Sequence, residues 1–205
     1  MDIDLQEIYD GFAETYEENR GLFDMSEILL AFDRSLGREQ GALLDMGCGA
    51  GEPFSKYFVE RGWEVTGVDL SEQMLAMAAK FVPEMQRIHA DMRDVTFTEN
   101  QFDAVTAVYS LFHLPRDEHA AIFSKVHDWL KPGGKFLFTY ATQEYTGSEA
   151  FDGYKEFMGQ RLYYSHKTPQ QLEEDVRALG FNLAAKDYRD IGGETFLWLT
   201  LEKAS

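Results

Sequence analysis

Three glycines at alternate positions, Gly47, Gly49 and Gly51, follow directly on the apolar run Ala42-Leu43-Leu44-Asp45-Met46. Glycines there let the backbone take positive φ and come close to a ligand. A helix opening just after them aims its first N–H groups at the same place, where a carboxylate or phosphate is stabilised. A tight strand-to-helix turn alone would not call for three of them. Asp69 ends the next apolar run, 18 residues past Gly51. An acid at that point can accept both hydroxyls of an adenosine ribose, or it can cap the helix starting near Ser71. Asp91 closes a third run, either within reach of an adenine edge across the same crevice or as a solvated loop carboxylate. The glycine order is not the dinucleotide fingerprint G-x-G-x-x-G, and no glycine loop ends in Gly-Lys-Ser/Thr as a P-loop does.

These residues need elements to hold them. The runs at 42–46, 63–68, 86–90, 102–108 and 135–140 are short, apolar and bounded by turn residues, as buried strands are. Between them stand helical patterns: 52–61, then a helix capped by Ser71 that carries Met74, Leu75, Met77, Ala78 and Phe81. A further helix is capped by Asp117 with Ile122, Phe123, Val126, Trp129 and Leu130 on one face, and Lys131-Pro132-Gly133-Gly134 stops it. Strand–helix alternation of this kind predicts a parallel sheet with helices on both faces. Thr168-Pro169-Gln170-Gln171 is a capping box with proline at the first helical position, and it opens a helix ended by Gly180. Two β-rich runs, 181–189 and 195–201, close the chain with no helix between them, so the last strand is expected to be antiparallel. Phe196, Leu197, Trp198 and Leu199 read as its core. Amphipathic patterns at 3–18 and 24–36 predict two N-terminal helices. Residues 141–167 form a long aromatic-rich insertion, and such connections are commonly lids or binding loops.

The 205 residues carry 19 Lys+Arg against 36 Asp+Glu, a net charge of −17, with one cysteine. That length fits a single domain able to bury its own core. One cysteine excludes a disulfide framework and a thiolate zinc site, and five scattered histidines lack metal-ligand spacing. Phosphate-binding surfaces need clustered Lys and Arg, so nucleic acid and anionic membranes are not expected partners. No membrane-spanning run and no leader are legible, and the expected location is the cytoplasm.

The chain resembles the class I S-adenosylmethionine-dependent methyltransferases. The resemblance runs in order through Leu43-Leu44-Asp45-Met46-Gly47-Cys48-Gly49-Ala50-Gly51, Gly67-Val68-Asp69-Leu70-Ser71, His89-Ala90-Asp91-Met92, Phe102-Asp103-Ala104-Val105 and Leu130-Lys131-Pro132-Gly133-Gly134-Lys135. It implies an α/β, Rossmann-like seven-stranded sheet of order 3-2-1-4-5-7-6 with strand 7 antiparallel. The cofactor would be S-adenosyl-L-methionine and the activity methyl transfer to a small molecule; binding of that cofactor without catalysis is the alternative. Gly47, Gly49 and Gly51 would pass along the cofactor's methionine part, with Asp45 supporting its ammonium group. Asp69 would hold the ribose, Leu70 and Met74 would border the adenine, and Asp91 with Met92 would address its edge. Tyr109 would approach the methionine side, and an N-terminal aromatic matching Tyr16 would fold over the cofactor, with Tyr9 the weaker candidate. His113 would act on the substrate as a base or line its pocket. Tyr163, Tyr164 and His166, in the insertion near where a substrate would enter, either line the substrate or pack in the core, while His119 and His127 are expected on a helix surface. The single domain over 1–205 would have a helical cover at 1–37 and a substrate lid at 141–167, as a monomer or homodimer.

Overall fold

The computed structural model describes residues 5–19, 24–157 and 159–204, without the side chains of residues 12 and 14–19. Helices α1 (Leu5–Asn19) and α2 (Ser26–Leu36) come first. The sheet then builds through β1 (Ala42–Met46), α3 (Phe54–Val59), β2 (Glu64–Asp69), α4 (Glu72–Phe81), β3 (Gln86–His89) and β4 (Phe102–Ala107). A 3₁₀ turn (Leu111–His113) leads into α5 (His119–Trp129) and β5 (Leu130–Tyr140). The segment after β5 holds α6 (Gln143–Thr146) and a hairpin of β6 (Phe151–Phe157) and β7 (Gln160–His166). The chain finishes with α7 (Pro169–Ala178), β8 (Phe181–Ile191) and β9 (Glu194–Lys203).

Seven strands form one sheet in the order β3-β2-β1-β4-β5-β9-β8, and β6-β7 pair separately. With the hairpin strands set aside, this is the order 3-2-1-4-5-7-6. The last strand is antiparallel to both neighbours, β5 and β8, while the first five run parallel. Parallel strands are covered by helices on both faces and so need apolar side chains on both. Strand β4 is buried at every position, and β1 at four of five. One face packs Phe123 and Val126 of α5 and Val176 of α7 on Phe136, Phe138 and Leu199. The other packs Phe32 of α2, Phe58 of α3 and Leu75 of α4 around Trp63 and Leu137. Truncating a fully buried ring such as Phe58 to alanine costs about 3–5 kcal/mol.

Two expectations are corrected. Helix α5 is not capped by Asp117: Glu118 stands at its N-cap without a side-chain cap, and the turn is closed by the Glu118 N–H on the Pro115 carbonyl at 2.8 Å. His119 is not on the surface but 1% exposed, between the Leu114 carbonyl and the Tyr140 hydroxyl. The sheet reverses strand order between β1 and β4, so their carboxyl ends open the crevice where a ligand fits.

Candidate active site

The loop after β1 turns back on β2 through two N–H groups, those of Gly47 and Cys48, both donating to the Val68 carbonyl at 2.7 and 3.1 Å. Gly47 takes φ +75°, and a Cβ on it would stand 2.4 Å from the Ser110 Cβ. Gly49 takes φ +52°, and nothing lies within 4 Å of where its Cβ would be, so the loop leaves open space above it. Its N–H donates to Asp69 Oδ2 at 2.7 Å, and the Ser71 N–H donates to Oδ1 at 2.9 Å. Each carboxylate oxygen keeps further acceptor capacity. Burial raises the Asp69 carboxyl above its ordinary range, against the pull of those N–H bonds. Gly51 lies behind the loop against Val82.

Asp45 is buried at the end of β1, receiving the Ser55 hydroxyl at 2.6 Å and the Thr106 hydroxyl at 2.7 Å. Burial raises its pKa despite both bonds. Asp91 is engaged differently. The Arg93 guanidinium grips it with Nε at 3.0 Å and Nη2 at 2.6 Å, and reaches Glu118 with Nη1 at 3.1 Å. Burial pushes the Asp91 carboxyl up, but the Arg93 bonds and charge outweigh that and hold it below the usual range.

The loop after β4 faces this group from the other side. Tyr109 sits at φ +53°, unusual for a bulky residue. Its N–H is fixed on the Thr139 hydroxyl at 2.6 Å, and its ring meets Phe196 and Trp198 edge-on. His113, at the end of the 3₁₀ turn, is buried. Its Nδ1 is 2.7 Å from the Tyr163 carbonyl of β7, and its Nε2 is 2.9 Å from the Tyr9 hydroxyl of α1. A carbonyl only accepts, so Nδ1 carries the proton, and Nε2 accepts from the Tyr9 O–H. Burial lowers the His113 pKa to about 4 and raises that of Tyr9, so both are neutral at pH 7. Helix α1 is held down on this site by Asp10, which accepts the Ser71 hydroxyl.

A single cavity of about 910 Å³ joins these features. Of the residues singled out from sequence, it is lined by Asp45, Gly47, Gly49, Asp69, Leu70, Met74, Asp91, Met92, Tyr109, His113 and Tyr163. Tyr164 and His166 do not line it. Tyr164 is buried in a stack on Phe112, and His166 is buried with Nε2 at 2.7 Å from the Thr146 hydroxyl. The Tyr16 side chain lies outside the described residues. Tyr9, the weaker candidate from sequence, lines the cavity, as do Arg93, Tyr154 and Arg161, which the sequence did not single out. The alternation Tyr154, Glu156 and Arg161, Tyr163 on paired strands was the signal available for the last two.

Residues 43–134 match the model of a family described as a methyltransferase domain. The chain is 38% identical over 136 residues to YqeM of Bacillus subtilis, covering 64% of this chain and 54% of that protein. It is 28% identical over 184 residues to the phosphoethanolamine N-methyltransferase of Plasmodium falciparum, covering 87% of this chain and 67% of the relative. An S-adenosylmethionine-dependent methyltransferase from Mesorhizobium loti superposes with a TM-score of 0.71 at 21% identity, over 86% of this chain and 96% of that one. The Burkholderia thailandensis 1,6-didemethyltoxoflavin-N1-methyltransferase, solved with S-adenosylhomocysteine, gives 0.71 at 22% identity over 97% and 88%.

The chain matches a methyltransferase domain over residues 43–134, and most of it shares the fold of a solved S-adenosylmethionine-dependent methyltransferase.

It spans about half the length of its Bacillus relative. The family's cofactor fits the residues present. The open space at Gly49 adjoins Asp69, whose two oxygens are oriented by backbone N–H groups, and the cavity is of the size that holds a cofactor with a small acceptor. No helix among the described residues is long and apolar enough to cross a membrane.

Proposed function

We propose that this methyltransferase moves a methyl group from S-adenosylmethionine to a small-molecule acceptor held against Tyr9 and His113. One observation carries the reading: a single cavity runs from the glycine loop and Asp69 to the Tyr9–His113 pair. Bound there, the cofactor supplies a methyl on a positively charged sulfur, open to in-line displacement. Asp69 fixes the ribose end through its free acceptor positions, while Leu70, Met74 and Met92 give the adenine apolar walls. Asp91, already claimed by Arg93, offers the adenine edge the margin of a paired carboxylate. Asp45 lends negative charge to the methionine end, although its two hydroxyl partners must share it.

The protein then has to align the nucleophile and exclude water. Helix α1 forms a wall of the cavity with Leu5, Ile8 and Tyr9, and the hairpin forms another with Tyr154 and Tyr163. These segments serve as the cover and lid. A base with a pKa of about 4 is too weak to strip an alcohol or ammonium before reaction. Tyr9, held on His113, therefore orients the acceptor's lone pair by accepting its N–H or O–H; the lone pair bonds the methyl carbon as the carbon–sulfur bond breaks onto sulfur, and the methylated, now acidic, atom gives its proton to water.

Calorimetry with S-adenosylhomocysteine and labelled-methyl transfer to a panel of small amines, alcohols and thiols test this. Wild type should bind the product cofactor and methylate at least one acceptor class. Asp69→Ala should raise the dissociation constant at least about tenfold through loss of a charged acceptor. Tyr9→Phe should lower turnover with little change in cofactor affinity. Binding with no methylated product across the panel would turn the reading to a cofactor sensor, and an unchanged constant in folded Asp69→Ala would remove the ribose assignment.

A further inference from the structure

Arg161 lines the cavity on the hairpin, and no carboxylate pairs with its guanidinium among the described residues. The cavity's other arginine, Arg93, is committed to Asp91 and Glu118. Arg161 is instead carried by aromatic surface: its guanidinium lies 4.8 Å from the centroid of the Tyr154 ring on the facing strand. Tyr154 pairs directly with Tyr163, with ring centroids 5.6 Å apart and nearly perpendicular planes. Stacking on a ring orients a guanidinium without consuming its N–H donors, which stay available for a fork of two hydrogen bonds.

The ionised groups divide the cavity. Asp45, Glu52, Asp69 and Asp91, the last paired with Arg93, line the part around the glycine loop and the ends of β2 and β3. The wall that faces the substrate side, made by His113, Leu114, Pro115, Tyr154, Arg161 and Tyr163, holds one charged group, Arg161. Arg161 stands two residues before Tyr163 along β7, about 7 Å at the rise of a strand. The Tyr163 carbonyl is the atom that fixes His113. Arg161 and the carbonyl that fixes His113 therefore belong to one short stretch of β7, on one wall of the cavity.

We infer that the hairpin carries an anion subsite, in which Arg161 on its Tyr154 platform takes the carboxylate or phosphate group of a short acceptor whose nucleophilic atom lies at Tyr9 and His113. This rests on the proposed methyl transfer for the acceptor's role, but the anion subsite is measurable without it. The planar fork suits either oxyanion, and the acid-lined remainder of the cavity repels a second one, which fixes the ligand's direction.

The test is calorimetry on the protein saturated with S-adenosylhomocysteine, titrated with phosphoethanolamine, β-alanine and ethanolamine as three small amines. They carry a phosphate, a carboxylate and no anion. At least one anionic amine should bind ten times or more tighter than ethanolamine. Arg161→Gln should remove that difference, and Arg161→Lys should restore part of it, with the affinity for S-adenosylhomocysteine unchanged in both. The phosphate and carboxylate arms show which oxyanion is preferred. Equal binding of all three amines by wild type, no binding of any, or anion binding that survives Arg161→Gln each overturns the subsite. Should S-adenosylhomocysteine itself fail to bind, the methyltransferase reading falls separately, and the same titration on the unloaded protein still decides the subsite.

Discussion

At the scale of single residues, the Tyr9–His113 contact decides what the site can do. The Tyr163 carbonyl forces the proton onto Nδ1, and the Tyr9 hydroxyl fills Nε2, so one tautomer is selected by partners on two other elements. Nitrogen-15 NMR of labelled histidine should show His113 as the Nδ1–H tautomer at pH 7 and still neutral at pH 5, since burial holds it near 4. An imidazolium signal at pH 6 would contradict the arrangement. In Tyr9→Phe the same resonance should move, because Nε2 loses its donor. Asp69 was legible from sequence because its position at a strand end is a short-range fact. The pairing of Tyr9 with His113 was not, since 104 positions separate them and α1 reads equally well as a plain amphipathic helix. Arg161 escaped notice for a related reason: an arginine in a polar-aromatic run gives no hint of which partners the fold denies it.

At the scale of elements, β7 is the piece that ties the hairpin to the loop after β4. Tyr163 accepts from His113 through its carbonyl, Ser165 donates its hydroxyl to the Leu114 carbonyl at 2.5 Å, and the Lys167 N–H donates to the Tyr140 hydroxyl at 3.0 Å. Tyr140 passes the chain on to His119 Nδ1 at 3.2 Å, while His119 Nε2 donates to the same Leu114 carbonyl at 3.0 Å. Every donor in this chain meets an acceptor, which is why a histidine expected on a surface is buried. Tyr140→Phe would strand the Lys167 N–H and His119 Nδ1 together. It should cost about 1–3 kcal/mol in urea unfolding, and a loss below about 0.5 kcal/mol would show the chain to be incidental. The main sheet was readable because buried parallel strands are short apolar runs between glycines. The hairpin was not: β6 and β7 mix Lys155, Glu156 and Arg161 with their aromatics, and only pairing in three dimensions separates the inner face from the outer.

At the scale of the whole molecule, pH sets two effects against each other. Lowering it from neutrality relieves the mutual repulsion of a chain at −17, which favours the compact state, but at 0.15 M salt that repulsion is screened beyond about 8 Å. The opposing effect is local and unscreened. His113 and His119 are held at about 4, first by burial, and His127 and His166 are also lowered by burial. A histidine whose folded pKa lies below its ordinary 6.5 takes up a proton more readily when unfolded. Its contribution is complete above about pH 6.5 and drains away as pH falls toward 4, at up to about 1.4 kcal/mol per pH unit for each such group. The buried carboxylates Asp45 and Asp69 are raised, so their protonation at the acid end favours the fold and offsets part of the loss only there. The histidine effect wins in the window between. Urea unfolding at fixed 0.15 M salt should therefore give lower stability at pH 5 than at pH 7.5, and His119→Gln, whatever it costs at pH 7.5, should flatten the slope. Equal or greater stability at pH 5 would mean that charge relief governs the molecule and that these histidines are open enough to water to titrate in place.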